Sequence, residues 1–371
     1  MLDRRAFLRR GARNAGGLAA LGLVGPAVLQ ACHVAKAAPA ASAPAGAAAT
    51  ALTTPPGVLG VLNFVGPWLP DVETAGEYIA DTKGYWVQEG FSAVRVIPSG
   101  PGATPQEQMV ETGQALVAVT SLDTAAAAVQ KGFGISVIGA QYQDNPMGVT
   151  SPASKPLNTP HDLIGKRVGV QSANSSVWYA FLQANGIDTA RVTTVPVGFD
   201  PSPLAQGAVD GWFSSIIGEP IVLQVDHGFA TTTFLLSDFN CPEVGNAYIC
   251  SRDALRTTRA TLKAAMTGDI LGWKEALAHP DEAARAAAIR AHGLDQRQLL
   301  LQAGAQAKLM TGRKVAQEGL FYVDPAFQAA NVTTLSQRAI SVTASQLFDM
   351  SLLDEIYQDK DLKAAPIVGT P

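Results

Sequence analysis

The chain has 371 residues, 47% of them hydrophobic, 16% charged and 7% aromatic. That length allows about two domains with a sizeable core, and the composition excludes an intrinsically disordered protein. No run after residue 32 is long and apolar enough to span a membrane, which excludes a multi-span transporter. The formal charge of −4 becomes −8 (22 basic against 30 acidic residues) without residues 1–31, a balance that argues against nucleic acid as a partner.

The first thirty-two residues read as an address. Asp3-Arg4-Arg5-Ala6-Phe7-Leu8-Arg9 resembles the twin-arginine export signal, and the Gly- and Ala-rich stretch from Asn14 to Ala31 follows it. Leu29-Gln30-Ala31-Cys32 resembles the lipobox of a bacterial lipoprotein, with Cys32 as the lipidated residue. Residues 1–31 are therefore expected to be a signal peptide. Residues 32–57, rich in Ala and Pro, are expected to form a flexible tether, with an r.m.s. reach of about 25–30 Å. The expected place is extracytoplasmic, at a membrane through the lipid anchor.

The body alternates strands and helices. Strands are expected at Val58–Val65, Ala93–Ile97, Ala115–Thr120 and Ile135–Ala140. Helices are expected at Glu73–Trp86, Pro105–Thr112 and Thr124–Lys131. After Tyr142 the pattern restarts, with strands at Arg167–Gln171, Val192–Val197, Gly211–Ser214, Thr232–Leu236 and Ala247–Cys250. Helices are expected there at His161–Ile164, Ser175–Ala184 and Pro203–Gln206, and an almost wholly helical stretch runs from Arg252 to Phe348. The rhythm predicts α/β lobes built on mostly parallel sheets. Residues 58–145 and 252–371 are assigned to lobe 1 with the helical tail, and 146–251 to lobe 2. A chain that crosses twice between lobes makes a hinge, and the cleft between them becomes the site.

Several segments carry a family resemblance. Gly66-Pro67-Trp68-Leu69-Pro70-Asp71 with Ala75–Ala80, Lys83-Gly84-Tyr85-Trp86 with Glu89-Gly90-Phe91, Asp162–Val170, Val209-Asp210-Gly211 and Gly218-Glu219-Pro220 follow one another over roughly residues 58–280. In order and spacing they resemble the periplasmic solute-binding proteins of type II architecture, in the branch that binds thiamine-pyrimidine precursors, with relatives for riboflavin, sulfonates and nitrate. The resemblance implies a two-lobed fold that closes on a small-molecule ligand and delivers it to an ABC importer permease. It implies a polar ligand contact at Glu219. Where the pyrimidine branch often has Asn and His in its opening segment, this chain has Asp71 and Thr74.

The candidate ligand-binding residues lie near strand ends and helix starts. Trp68 follows the first strand, where an indole either stacks a flat ring or caps the lobe core. Asp71 reads chiefly as a helix-start acid, whereas Glu73 is kept as a candidate acceptor of hydrogen bonds from an amino-heterocycle. Ser121 is open between a helix cap and a ligand contact, and Tyr142 between a hinge-side ligand contact and interlobe packing. The turn Gln171–Ser176, with Ser172, Asn174 and Ser175, offers free backbone N–H groups and a helix dipole, or a plain N-cap. Trp178 and Tyr179 face either cleft or core. Trp212 and Ser214 share a strand face, and Glu219 is the remaining polar candidate.

Nothing in the sequence demands catalysis. Five scattered histidines (His33, His161, His227, His279, His292) form no spaced metal set, no nucleophile elbow or phosphate loop is present, and no cofactor is implied. Cys241 and Cys250 are an even pair, open between a disulfide and two thiols on separate faces. The expectation is a monomeric, lipid-anchored solute-binding protein for a planar nitrogen heterocycle, such as a thiamine pyrimidine precursor or a flavin. A sulfonate or other small oxyanion is the alternative ligand, and an exported enzyme acting on a small heterocycle is the alternative of another class.

Overall fold

The computed structural model describes residues 57–370 apart from 292 and 313. The expected signal peptide, Cys32 and the tether up to residue 56 lie outside the described residues. Ten strands form two five-stranded sheets. The first holds β1 (Val61–Val65), β2 (Ala93–Ile97), β3 (Val117–Thr120), β4 (Ile135–Tyr142) and β10 (Gly245–Ser251), in the order β2-β1-β3-β10-β4. The second holds β5 (Met147–Pro152), β6 (Arg167–Gln171), β7 (Thr193–Val197), β8 (Gly211–Ser215) and β9 (Thr231–Leu235), in the order β7-β6-β8-β5-β9. The helices that matter below are α1 (Ala75–Lys83), α2 (Ser175–Ala184), α3 (Glu219–His227), α4 (Arg259–Ala278), α5 (Gln296–Met310) and α6 (Pro325–Ser336).

The two sheets repeat one plan. In each, four of the five strands point the same way, and the strand that arrives from the other lobe is inserted antiparallel: β5 between β8 and β9, and β10 between β3 and β4. Parallel pairing is therefore confined to one side of each inserted strand. The expectation of mostly parallel strands holds, and the inserted return strand moves the boundary of the lobes. Gly245–Ser251, assigned to lobe 2 from sequence, is an inner strand of the first sheet, between β3 and β4. In the second lobe one strand and one helix were not expected. One is β5, whose Met-Gly-Val-Thr-Ser-Pro sequence lacks an apolar alternation. Its buried polar positions are satisfied across the sheet, where the Thr150 hydroxyl bonds those of Ser214 (2.7 Å) and Thr233 (2.8 Å). The other is α3, which starts on Glu219-Pro220, with proline at a first-turn position where its missing N–H costs nothing.

Each lobe has its own core. The first lobe and the tail share one large cluster, including Phe64, Trp86, Tyr248, Trp273 and Phe321, and the second lobe has a cluster around Trp178, Phe181 and Phe213. The tail packs on the first lobe through a backbone-close crossing of α1 and α4. A Cβ on Gly272 would stand 2.2 Å from the Gly76 carbonyl oxygen. Cys241 and Cys250 are both free thiols, buried in the second-lobe and first-lobe clusters respectively. The open reading of a disulfide therefore resolves to two thiols in separate cores.

The two crossings, between β4 and β5 and between β9 and β10, run side by side. The Asn145 N–H donates to the Glu243 carbonyl at 2.9 Å. The tail grips both. Asn331 of α6 accepts from the Val244 N–H at 2.8 Å, and Thr334 donates to the Pro242 carbonyl at 3.0 Å. Gln143 donates to the Tyr322 carbonyl at 2.8 Å. Arg338, with 4% side-chain exposure, pairs with Glu243 at the return crossing and with Asp123 (3.5 Å) on the first lobe.

Candidate functional site

In open α/β sheets ligands bind beyond the carboxyl ends of the strands. The ends of β1 and β3 in the first lobe, and of β6, β7 and β8 in the second, carry the segments that hold most of the candidates. Trp68 follows β1 and Phe199 follows β7. They meet across the lobes with ring centroids 6.4 Å apart and planes tilted by 54°. Both stay exposed, Trp68 at 41% and Phe199 at 60%. The Trp68 loop is fixed from behind, because its carbonyl accepts from the Ser99 N–H at 3.1 Å and Gln106 donates to the Pro67 carbonyl at 3.3 Å. An exposed, held indole facing a second exposed ring is a surface for a flat apolar group.

A second feature is a set of acids from both lobes. The 3-10 turn Val72–Thr74 begins on Asp71, whose carboxylate accepts from the Glu73 N–H at 2.8 Å. This turn is held from three directions. Gln141 Nε2, at the end of β4, donates to the Glu73 carbonyl at 3.0 Å, and Asn246 Nδ2, in β10, donates to Gln141 Oε1 at 2.8 Å. From α5, Gln306 Nε2 donates to the Val72 carbonyl at 3.0 Å, while its Oε1 accepts from the Tyr142 hydroxyl at 2.7 Å. Asn246 sits at φ 53°, in the left-handed region that Asn tolerates better than most residues. Opposite, Glu219 starts α3 and accepts from the Ser215 N–H at 3.2 Å.

These carboxyls hold their protons unusually well. Burial first, then the negative charge of Asp71, push Glu73 up to about 8. A hydrogen bond from Asn246 opposes the shift, and the charge of Glu219 adds to it. Burial raises Asp71 to about 6 and Glu219 to about 7, in each case against backbone hydrogen bonds. Among the described residues no cation offsets any of the three. The cleft thus gathers like-charged acids from both lobes, a place for a group that offers N–H donors or positive charge.

The other candidates fall elsewhere. Trp212 is fully buried in a small cluster with Leu204, Val209 and Leu223, its ring against Gly169, so it is core and not cleft lining. The alternation along β8 turns it to the face covered by the short helix Ser202–Ala205 and α3. Tyr142 is fully buried and bonded to Gln306, so it offers no stacking face and acts behind the acidic turn. Ser121 is exposed, and its hydroxyl bonds Asp123 (2.6 Å) and Thr124 (2.7 Å), a local cluster at the start of its helix. Ser172, Asn174 and Ser175 form the 3-10 turn and helix start beyond β6, with no side-chain cap. Trp178 lies in the core, with its Nε1 donating to the Thr194 hydroxyl at 2.9 Å, and Tyr179 is 45% exposed.

Sequence reasoning missed Phe199, Gln141 and Asn246. The rule that selected Trp68, an aromatic just past a strand's carboxyl end, applies equally to Phe199 behind Gly198. Asn246 carried no signal, because its role depends on where the return strand enters the sheet.

Residues 71–283 match the NMT1/THI5-like family. The chain is 25% identical over 221 residues to the riboflavin-binding protein RibY of Chloroflexus aurantiacus, covering 58% of this chain and 62% of that protein. It is 23% identical over 220 residues to the formylaminopyrimidine-binding protein of Halalkalibacterium halodurans, covering 58% and 66%. Both matches span less than two thirds of the relative. Among solved structures, the periplasmic aliphatic sulphonate-binding protein SsuA of Escherichia coli superposes with a TM-score of 0.60 at 14% identity, over 78% of this chain and 92% of that one. The fold is that of type II periplasmic binding proteins, and the chain belongs to the NMT1/THI5-like family.

Proposed function

We propose that the protein captures a planar nitrogen heterocycle in its interlobe cleft and delivers it to an ABC importer permease, as a monomer outside the cytoplasm anchored through a lipid on Cys32. The observation that carries this reading is the exposed Trp68–Phe199 pair, one ring from each lobe, together with Asp71, Glu73 and Glu219 and no balancing cation among the described residues. The rings suit a flat π-system, and the acids suit its amino or ring N–H groups. A sulfonate or nitrate would meet three carboxyls and no guanidinium, the opposite of what an oxyanion needs. The relatives named for riboflavin and formylaminopyrimidine agree with a heterocycle. Binding works by population shift: a ligand that touches both lobes favours the closed form by its differential affinity, and the paired crossings are the hinge.

The test is thermal-shift screening of the protein against thiamine and its pyrimidine precursors, riboflavin, nucleobases, taurine, alkanesulfonates and nitrate. A ligand at 100 times its Kd adds about 2.7 kcal/mol of stability. Stabilisation by a heterocycle, weakened in Trp68→Ala and in Phe199→Ala, supports the reading. Stabilisation by a sulfonate or nitrate alone refutes it.

A further inference from the structure

The second lobe holds a buried hydrogen-bond donor without a partner among the described residues. Gln171 ends β6 and is 2% exposed. Its Oε1 accepts from Asn174 Nδ2 at 3.1 Å, which fixes the amide against the turn Ser172–Asn174. Its Nε2 has no partner among the described residues. Neither that turn nor the ten-residue α2 that follows has a side-chain cap, so the helix presents its positive end beside the unpaired amide. At the same end of neighbouring β8, the Ser215 hydroxyl is also buried and unpartnered, while its backbone N–H serves Glu219. Buried polar groups in native proteins are almost always paired. An unpaired amide at the cleft end of a strand therefore points to a ligand atom as its missing partner.

We propose that Gln171, with the uncapped start of α2, is the specificity-determining contact for a neutral acceptor oxygen on the ligand: an amide, imide or ring carbonyl. This rests on the heterocycle reading above and deepens it. The ligand turns its N–H groups to Asp71, Glu73 and Glu219, and a carbonyl oxygen to the second lobe. The carbonyl is neutral because the turn Gln171–Ser176 contains no Lys or Arg and the opposite wall is acidic. A phosphate, sulfonate or carboxylate would be repelled by the ionised share of these acids, chiefly Asp71, where a carbonyl is not. The site then reads both ends of a dipolar ring, and it discriminates against a ring with the amine but without the oxygen.

A matched pair of probes tests this. Cytosine carries an amine and a ring carbonyl, and 4-aminopyrimidine carries the amine alone. Ligand-observed NMR titrations reach millimolar affinities for wild type, Gln171→Met and Gln171→Glu, with the melting temperature of each variant recorded. Wild type is expected to bind cytosine about tenfold more tightly than 4-aminopyrimidine, the equivalent of one net hydrogen bond. Gln171→Met should erase that preference by weakening cytosine alone, and unchanged binding of 4-aminopyrimidine shows that loss of the Asn174 hydrogen bond has not disturbed the cleft. Gln171→Glu, which replaces the donor by an acceptor of the same shape, should weaken cytosine further. Equal weakening of both probes, or none, overturns the inference and leaves the heterocycle reading standing. Failure of both probes to bind wild type overturns the inference for this ring class, whereas the heterocycle reading is decided by the wider thermal-shift panel.

Discussion

Replacing Glu73 by Gln removes one acid from the cleft without changing its shape, and the consequence is calculable. In the folded protein Glu73 keeps its proton up to about pH 8, whereas in the unfolded chain it titrates near 4.5. Between those values the native state binds a proton that the unfolded state has released, so stability falls as pH rises. The stabilisation is complete below pH 4.5 and is lost as the pH climbs through 8. Each such proton contributes a slope of about 1.4 kcal/mol per pH unit. Between pH 5.5 and 7.5, Glu73→Gln should therefore gain on wild type by up to about 2–3 kcal/mol, less whatever Asp71 and Glu219, which titrate in the same window, take up when their neighbour is removed. Burial likewise raises Glu77 to about 8 and Asp269 well above its usual range. Their contributions are common to both proteins and cancel in the comparison. Urea unfolding of the ligand-free protein at pH 5.5, 6.5 and 7.5 provides the assay. Wild-type and Glu73→Gln curves that stay parallel across this range would refute the argument that Glu73 is held protonated by the cleft.

Two further perturbations probe what holds the cleft in place. Gly272→Ala puts a methyl group 2.2 Å from the Gly76 carbonyl oxygen and 2.7 Å from the Ala80 Cβ. It should lower stability by about 1–3 kcal/mol by forcing α1 and α4 apart, and an unchanged urea midpoint would contradict that. Arg338→Met strips the buried Glu243 of its partner beside the hinge. It should cost about 3–5 kcal/mol, seen in the same unfolding assay, and a loss below about 1 kcal/mol, the level of an exposed pair, would show that the pairing is unimportant.

The alternation of strands and helices was legible because apolar periodicity reports burial directly, and Ala93–Ile97 and Arg167–Gln171 agree to the residue. Sheet order was not legible. The insertion of β10 between β3 and β4 is a long-range pairing that no local pattern records. β5 escaped because its interior is filled by hydroxyls, which read as a loop until their partners on β8 and β9 are known. Trp68, Glu73 and Glu219, picked from strand ends and a motif, fall together at the candidate site. Tyr142 and Trp212 lie at similar places in sequence yet face inward. The phase of one strand against its covering helices decides that, and it is set by tertiary packing. Asp71 read as a plain helix-start acid, and it is one, since its carboxylate bonds the Glu73 N–H. Only the fold shows that the same carboxylate also adds to the charge of the cleft.

Isothermal titration calorimetry of the protein with its most stabilising heterocycle, beside an alkanesulfonate and nitrate, tests the central claim most directly. One heterocycle bound per chain, with affinity lost on Trp68→Ala and on Glu219→Ala and no heat from either oxyanion, is the predicted result. Saturable binding of a sulfonate or nitrate, with no heterocycle bound, would contradict it.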